Sequence, residues 1–257
     1  MKWRQHPDFD LSQENIGLLL NNEIPYIRES NFILPEEVKT LIKELNSIGF
    51  EYYENVEPPI GKIGVTVFEN QNDPAHYFKG ALSSTSKLQR ESEGHHNAMV
   101  RLIRTIGEKS RIRSAIAYDN TRDQLYFAGL VRLMKGGALL HIDYAPFDCK
   151  EYVVSKSINQ LACNIFLQTP EGGGDVTVFN CPWTEPDENL KISGSYGYHP
   201  SVVEHKDSVT IQPKVGDLIL FNSRNFHKVA PNRNLDDNRI TISCFAGFFN
   251  GQLHFWS

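Results

Sequence analysis

His141 and Asp143 stand two positions apart at the end of an apolar run, in the segment LLHIDYAPFD (139–148). Side chains alternate across a β-strand, so both would point to one side of a strand while Ile142 points to the other. An imidazole and a carboxylate on one side can bind the same metal ion. The pair alone fits a surface ion pair equally well, so a third ligand is needed to separate the two interpretations.

A third ligand is offered by the segment DLILFNSRNFHKVAPN (217–232), in which His227 follows an apolar strand-like run that enters a turn. Two histidines and one carboxylate, with coordination positions left open, form the facial ligand set of non-haem Fe(II) oxygenases. The order His141, Asp143, His227 matches that set. The sequence therefore predicts a mononuclear metal site.

An arginine strengthens this interpretation. Arg239 follows His227 by twelve positions and opens the run RITISCFAGFF (239–249), so a turn would return it to the metal site on an antiparallel strand. A buried guanidinium needs an anion, and here a dicarboxylic co-substrate is expected because the guanidinium fork can bind a carboxylate through two hydrogen bonds. Thr241, on the same side of the strand, could add a hydroxyl contact.

Each of these residues also has an ordinary explanation. His227 alone would be a turn histidine, and Arg239 alone would be half of a salt bridge with Asp236 or Asp237. It is the ordered set within strand-like segments that favours a site. By contrast, the adjacent His95 and His96 would point in different directions on a helix, and we expect them to be solvent-exposed.

The elements that must position these residues change character along the chain. Helical patterns are predicted after Pro35, closing near Gly49, and as one or two helices between residues 85 and 116, with one strand over KIGVTVFE (62–69). From Tyr126 onward, short runs rich in β-branched and aromatic residues alternate with turns, which indicates an all-β sandwich or barrel. The expected organisation is one domain over residues 1–257. Residues 1–120 would form a mostly helical lid portion, and residues 121–257 the β core.

Composition limits the partners. The chain has 257 residues and a formal charge of −5, with no block of like charge, so neither a nucleic-acid nor a membrane surface is predicted, and the expected partner is a small molecule. The four cysteines are scattered and fit free core thiols. With no signal-peptide pattern and no transmembrane-length apolar segment, we expect a cytoplasmic protein. The oligomeric state has no signature in the sequence.

The ordered set and its surroundings resemble the Fe(II)/2-oxoglutarate-dependent oxygenases. The segment EGGGDVTVFN (171–180) is similar to the family's turn and strand after the third core strand, and PKVGDLILFNSRNFHKV (213–229) to the strand and loop that deliver the second histidine. The resemblance implies a mainly β fold with flanking helices and a double-stranded β-helix, or jelly-roll (cupin-like), core. The segments ENVEPPIGKIGVTVFE, QLACNIFLQ and LHFWS resemble a group of small-molecule hydroxylases and aliphatic halogenases.

The resemblance also implies a chemistry. The cofactors would be Fe(II), 2-oxoglutarate and O2, with His141, Asp143 and His227 as the catalytic iron ligands. The halogenases of the group replace the carboxylate ligand with glycine, whereas this chain keeps Asp143. Hydroxylation of an aliphatic C–H bond in a small molecule, such as a free amino acid or a biosynthetic intermediate, is therefore implied, with release of succinate and CO2.

Other positions follow from the same resemblance and from strand parity. Binding of 2-oxoglutarate would fall to Arg239 and Thr241, with Asn164 contributed by the third core strand. Polar residues near strand ends are candidates for substrate contacts; they are Arg132, Tyr144 and Asn222. Two alternatives stay open: the same site could carry out desaturation, cyclisation or epimerisation, or the chain could be a non-catalytic β-sandwich binding module with structural or zinc-binding residues.

Overall fold

The computed structural model describes residues 2–4, 8–54 and 56–257. Four longer helices lie within residues 13–110, among the first strands of the larger sheet, and a one-turn helix follows His141. They are α1 (Gln13–Leu20), α2 (Pro35–Ile48), α3 (Pro74–Glu91), α4 (Glu93–Ser110) and α5 (Ala145–Asp148). Helix α3 begins where the Asp73 side chain accepts a hydrogen bond from the His76 N–H. The Ser92 hydroxyl caps α4 by accepting one from the His95 N–H, so Ser92 separates α3 from α4. The sequence predicts one or two helices between residues 85 and 116; there are two, and the first already begins at Pro74.

The larger sheet has nine strands in the described chain. They are β1 (Tyr26–Glu29), β2 (Glu51–Tyr52), β3 (Ile60–Ile63), β4 (Ser114–Ile116), β7 (Leu130–Met134), β9 (Gln160–Gln168), β12 (Leu218–Asn222), β14 (Arg239–Phe249) and β15 (Gln252–Trp256). Their main order is β1-β12-β9-β14-β7-β3-β2, with β15 and then β4 attached to β14. The pairings are antiparallel except for β15 with β4.

The smaller sheet runs in the order β11 (Ser208–Ile211), β10 (Val176–Pro182), β13 (Asn225–Val229) and β8 (Ala138–His141). A separate hairpin joins β5 (Tyr118–Asp119) and β6 (Gln124–Leu125). Apolar side chains of the two larger sheets meet in a common core, to which the larger sheet gives Phe166, Ile219 and Phe221 and the smaller sheet gives Val176, Val178 and Val229. Two antiparallel sheets that share a core are the jelly-roll arrangement, which confirms the predicted fold class.

The helices cover the opposite face of the larger sheet. Strand parity directs Leu161, Cys163 and Ile165 of β9 into the core that α2, α3 and α4 also build. This leaves Ala162, Asn164 and Phe166 on the face toward the smaller sheet. The inner face of the larger sheet, with Asn164, therefore lines the interior between the two sheets, while the helices pack on the other face of the larger sheet.

Several local predictions need correction. The strand predicted over KIGVTVFE ends at Ile63, because Gly64 adopts φ +116° and a Cβ there would lie 2.4 Å from the Phe127 ring. His95 is buried, with 4% exposure, and its Nε2 lies 2.6 Å from the Gly129 carbonyl oxygen, so the expected solvent-exposed pair is wrong for His95.

Across the described residues, no helix combines the length and the apolar character needed to span a bilayer.

Candidate metal centre

His141 and His227 lie side by side on two neighbouring strands of the smaller sheet. They are cross-strand partners on β8 and β13, with ring centroids 4.2 Å apart. Asp143 lies just beyond β8, and its Oδ2 is 3.8 Å from His141 Nε2 and 3.4 Å from His227 Nε2. One ligand atom from each residue lies within 4.8 Å of the others, and in the described part of the chain this is the one group of such residues that could hold a metal ion.

The other ring nitrogens orient both imidazoles. His141 Nδ1 lies 2.6 Å from the Leu139 carbonyl oxygen, and His227 Nδ1 lies 2.9 Å from the Asn225 carbonyl oxygen. A carbonyl can only accept, so Nδ1 carries the proton in each ring and Nε2 keeps its lone pair. Both lone pairs are thus available to a shared cation, as in metal sites whose histidines are oriented by backbone carbonyls.

Ser223 and Gln160, which no sequence pattern singles out, bind the backbone of Asp143. The Asp143 N–H donates to the Ser223 carbonyl oxygen at 3.0 Å, and its own carbonyl accepts from Ser223 Oγ at 2.9 Å and from Gln160 Nε2 at 3.1 Å. Gln160 Oε1 in turn accepts from the Ala145 N–H at 2.9 Å. These contacts fix the carboxylate after the strand has ended.

The charge state suits a cation. Burial lowers the pKa of His141 to about 4, reinforced by His227 and opposed by Asp143, so His141 is neutral near pH 7. Burial alone would raise the pKa of Asp143. The close contacts with the rings of His227 and His141 and the positive charge of Arg132 outweigh that effect and hold the pKa of the Asp143 carboxyl well below its ordinary value. The neutral His141 imidazole and the ionised Asp143 carboxylate are in the forms that bind metal.

Arg239 lies at the start of β14, opposite Met134 of β7, and is 3% exposed. Its Nε donates to the Gly174 carbonyl oxygen at 3.1 Å, and its Cζ lies 4.9 Å from the Phe166 ring centroid. Among the residues described, no carboxylate pairs with it. Burial and the charge of Arg132 lower the pKa of Arg239 to about 9, which still leaves it protonated near pH 7. A buried guanidinium that has no anionic partner in the protein favours binding of an anionic ligand beside it.

A cavity connects the candidate metal ligands with Arg239. Asn164 lines it, as predicted from strand parity, and Asn164 Oδ1 accepts a hydrogen bond from Ser243 Oγ at 2.8 Å. Thr241 shares the inward face but is fully buried and is not part of the cavity lining. The Thr241 hydroxyl lies 3.0 Å from Ser243 Oγ. Ser243, rather than Thr241, borders the cavity.

A second cavity begins at His141 and Asp143 and extends outward. Arg132, one of the predicted substrate residues, lines both cavities. Asp148 of α5 and two segments that show no strand or helix periodicity form much of the outer wall. The two segments contribute Tyr53, Val56, Phe68, Lys191, Tyr196 and Tyr198. Tyr196 also supports the centre directly, because its ring lies 5.5 Å from the His141 ring and its hydroxyl accepts from the Leu139 N–H at 2.9 Å.

Two other predicted substrate residues lie elsewhere. Tyr144 packs beside Trp183, with ring centroids 6.1 Å apart, and the Arg224 guanidinium lies 5.1 Å from the Tyr144 ring centroid. Asn222 is buried, and its Oδ1 accepts from the Arg224 N–H at 3.1 Å. Neither side chain lines the two cavities. Asn222 is the last residue of β12, and its side chain bonds the turn that leads to β13 rather than entering a cavity.

The donor set fits Fe(II) and a dicarboxylate. Two imidazole nitrogens and one carboxylate leave coordination positions open on one side of an ion, which is the arrangement of non-haem Fe(II) oxygenases. The unpaired guanidinium of Arg239 stands at the other end of the connecting cavity. A ligand that chelates the metal at one end and carries a second carboxylate at the other would satisfy both charges.

Comparison with known proteins gives a consistent result. The model of the family "Carrier-protein-independent halogenase WelO5" matches residues 7–257. Leucinostatins biosynthesis cluster protein S of Purpureocillium lilacinum is 36% identical over 210 residues, which cover 77% of this chain and 84% of that protein. L-gamma-glutamyl-L-propargylglycine hydroxylase of Streptantibioticus cattleyicolor is 35% identical over 133 residues, or 51% of this chain and 48% of that protein.

A solved structure shows the same fold. The N-substituted L-amino acid dioxygenase of Burkholderia ambifaria, crystallised in complex with alpha-KG, superposes with a TM-score of 0.64 at 15% identity. The superposition covers 95% of this chain and 91% of that one.

Proposed function

We propose that this chain, which belongs to the carrier-protein-independent halogenase WelO5 family and is a 2-oxoglutarate-dependent dioxygenase that uses Fe(II) and O2, hydroxylates an aliphatic C–H bond of a small molecule. The reaction would release succinate and CO2. Family membership and the dioxygenase relatives argue against the alternative of a non-catalytic β-sandwich module.

The observation that carries this proposal is the carboxylate of Asp143, which lies 3.4 Å from His227 Nε2 and 3.8 Å from His141 Nε2. The family resemblance implies that a halogenase would carry glycine at this position and so leave a coordination position for chloride. Here a side chain fills it, and its backbone is fixed by Gln160 and Ser223. Three protein ligands favour transfer of oxygen over transfer of halide.

Each residue has a defined task in this proposal. His141, Asp143 and His227 would hold Fe(II), and Arg239 would bind the far carboxylate of 2-oxoglutarate in the cavity that Asn164 borders. When bound, Fe(II) and 2-oxoglutarate activate O2 for attack on an unactivated C–H bond. The protein orients the co-substrate through Arg239, and the apolar side chains between the sheets exclude bulk water from it.

The proposed substrate is an amino acid or an amino acid derivative. The names of two similar proteins specify a gamma-glutamyl dipeptide and an N-substituted L-amino acid, which supports this class. The second cavity agrees in character, because it combines aromatic walls with charged side chains of both signs. A compact, polar and partly aliphatic molecule fits such a lining.

Product analysis under labelled oxygen tests the reaction type. Purified protein, loaded with Fe(II) and 2-oxoglutarate, would be incubated with L-amino acids and gamma-glutamyl dipeptides under ¹⁸O2 in buffer containing chloride. We expect a product that has gained one labelled oxygen atom. A chlorinated product, or one that has lost two hydrogens and gained no oxygen, would contradict hydroxylation.

A further inference from the structure

The second cavity opens into a groove on the surface, and one acidic side chain borders both. The groove is formed by residues of the segments 54–71 and 191–196 together with Asp148. Asp148 also lines the cavity that contains His141 and Asp143. It is the last residue of α5, five positions after the candidate ligand Asp143. A molecule that enters from the groove toward the metal ligands therefore passes Asp148.

The Asp148 carboxylate has no basic partner. Within the described chain no ion pair involves it, although Lys191 lines the same cavity. Lys191 is engaged elsewhere, because its Nζ lies 3.8 Å from Glu188 Oε2 and 5.6 Å from the Tyr198 ring centroid. Asp148 is thus a half-buried acid on the cavity wall that forms no salt bridge within the described chain, although the Lys191 ammonium is near enough to lower its pKa.

The surroundings make this ionised carboxylate costly. Burial raises the pKa of Asp148 to about 6; Asp143 and Glu188 act in the same direction, while Lys191 and the Tyr144 N–H oppose it. Near pH 7 the side chain is still mostly ionised. A cationic group placed beside it would remove the cost, as for other half-buried carboxylates.

Neighbouring side chains also favour a cation at this place. Tyr196, Tyr198 and Phe68 line the same cavity as Asp148, and aromatic faces attract ammonium groups. At the inner end, Arg132 borders the cavity together with the candidate metal ligands His141 and Asp143. The aromatic side chains therefore lie with Asp148 on the part of the wall that a substrate amine could contact.

We propose that Asp148 binds an ammonium group of the substrate at the outer end of the second cavity and so directs the aliphatic part toward His141 and Asp143. The substrate class is then an aliphatic amine, such as an amino acid or peptide with a free amino group. This inference rests on the proposed function, because it concerns the substrate of that same site.

The experiment compares free amines with their N-acetyl counterparts. The proteinogenic L-amino acids and gamma-glutamyl dipeptides, each with its N-acetylated form, would be tested for stimulation of 2-oxoglutarate consumption by the Fe(II)-loaded protein. We expect stimulation by free amines and little by acetylated partners. The best free amine would then be tested with Asp148→Asn, for which kcat/KM should fall at least about 10-fold, mainly through KM.

Matched variants separate recognition from folding. Asp148→Glu keeps the charge and should recover part of the loss, whereas Glu151→Gln removes a nearby exposed carboxylate and should behave as the wild type. The 2-oxoglutarate complex should form unchanged in all three variants. Equal use of acetylated compounds, stimulation by no free amine, or wild-type kinetics in Asp148→Asn would each overturn the ammonium assignment. Failure of the wild type to bind 2-oxoglutarate would instead overturn the proposed function.

Discussion

His141 and His227 are held in the same way on neighbouring strands. Each donates from Nδ1 to the carbonyl oxygen of the residue two positions earlier, at 2.6 Å to Leu139 and 2.9 Å to Asn225. The two Nε2 atoms consequently approach the same carboxylate oxygen of Asp143. Strand pairing and two local hydrogen bonds are therefore enough to prepare both imidazoles for one ion before it binds.

Removal of either imidazole should abolish iron binding. We expect His141→Ala or His227→Ala to lower turnover by more than the roughly 100-fold that changes around metal ligands commonly cost. Equilibrium dialysis with Fe(II) and a succinate assay measure the two effects. His76→Ala, which removes an exposed histidine of α3, should change neither. Wild-type turnover in either variant would contradict the assignment of His141, Asp143 and His227 as the iron ligands.

Replacement of Asp143 should change the reaction as well as its rate. Asp143→Gly removes the carboxylate ligand and opens a position that chloride can fill, so hydroxylation should be lost even where Fe(II) still binds. Asp143→Glu keeps a carboxylate and should retain more hydroxylation than the glycine variant. Mass spectrometry of products formed with and without chloride measures both outcomes. Undiminished hydroxylation in Asp143→Gly would contradict the assignment of Asp143 as a ligand.

Gln160 should act through the position of Asp143. Gln160→Leu removes the donor to the Asp143 carbonyl and leaves the buried Ala145 N–H without its acceptor, which should cost about 1–3 kcal/mol of unfolding free energy. Fe(II) affinity should fall about 10- to 100-fold. Urea unfolding and Fe(II) dialysis test the two expectations. Gln124→Leu, at an exposed position, is the control, and equal Fe(II) affinity in both variants would contradict the positioning role.

His95 should make the apoprotein less stable in mild acid. Burial lowers its pKa to about 4 in the folded state, whereas an unfolded histidine titrates near 6.5, so the unfolded chain takes up the proton first. Stability is thus lost as the pH falls from about 6.5 to 4. Between pH 7.5 and 5.5 this amounts to about 1.4 kcal/mol. Urea unfolding should show that much less pH dependence in His95→Gln than in the wild type or in His76→Gln, and identical pH dependence would contradict the assignment.

The part of the site that could be predicted depends on strand periodicity. His141 and Asp143 were selected because alternate residues of a strand share a face, and Asn164 because it shares a face with Phe166. Such periodicity is local and visible in a single sequence. The short strand-like runs also indicated an all-β sandwich or barrel, and the family resemblance implied its jelly-roll form. The roles of these residues in binding Fe(II) and 2-oxoglutarate stay predictions.

The outer cavity could not be predicted, for a different reason. Lys191 and Tyr196 come from a segment with no strand or helix periodicity, and Asp148 ends the one-turn helix α5. These residues meet only because the chain between β10 and β11 folds back over β8. The Tyr198 N–H, for example, donates to the Leu140 carbonyl oxygen at 2.8 Å. His95 is a related case, because its burial depends on a contact with Gly129 in a distant segment. Tertiary contacts of this kind leave no trace in local sequence patterns.

The central claim is that one chelating dicarboxylate bridges the His141, Asp143 and His227 centre and Arg239. Anaerobic titration of Fe(II)-loaded protein with 2-oxoglutarate tests it, through the weak visible charge-transfer band of the chelate. The band should appear in the wild type, and in Arg239→Ala its formation should require roughly 10- to 100-fold more 2-oxoglutarate, since a charge-assisted contact is lost. Absence of the band in Fe(II)-loaded wild type, or equal affinity in Arg239→Ala, would contradict the account.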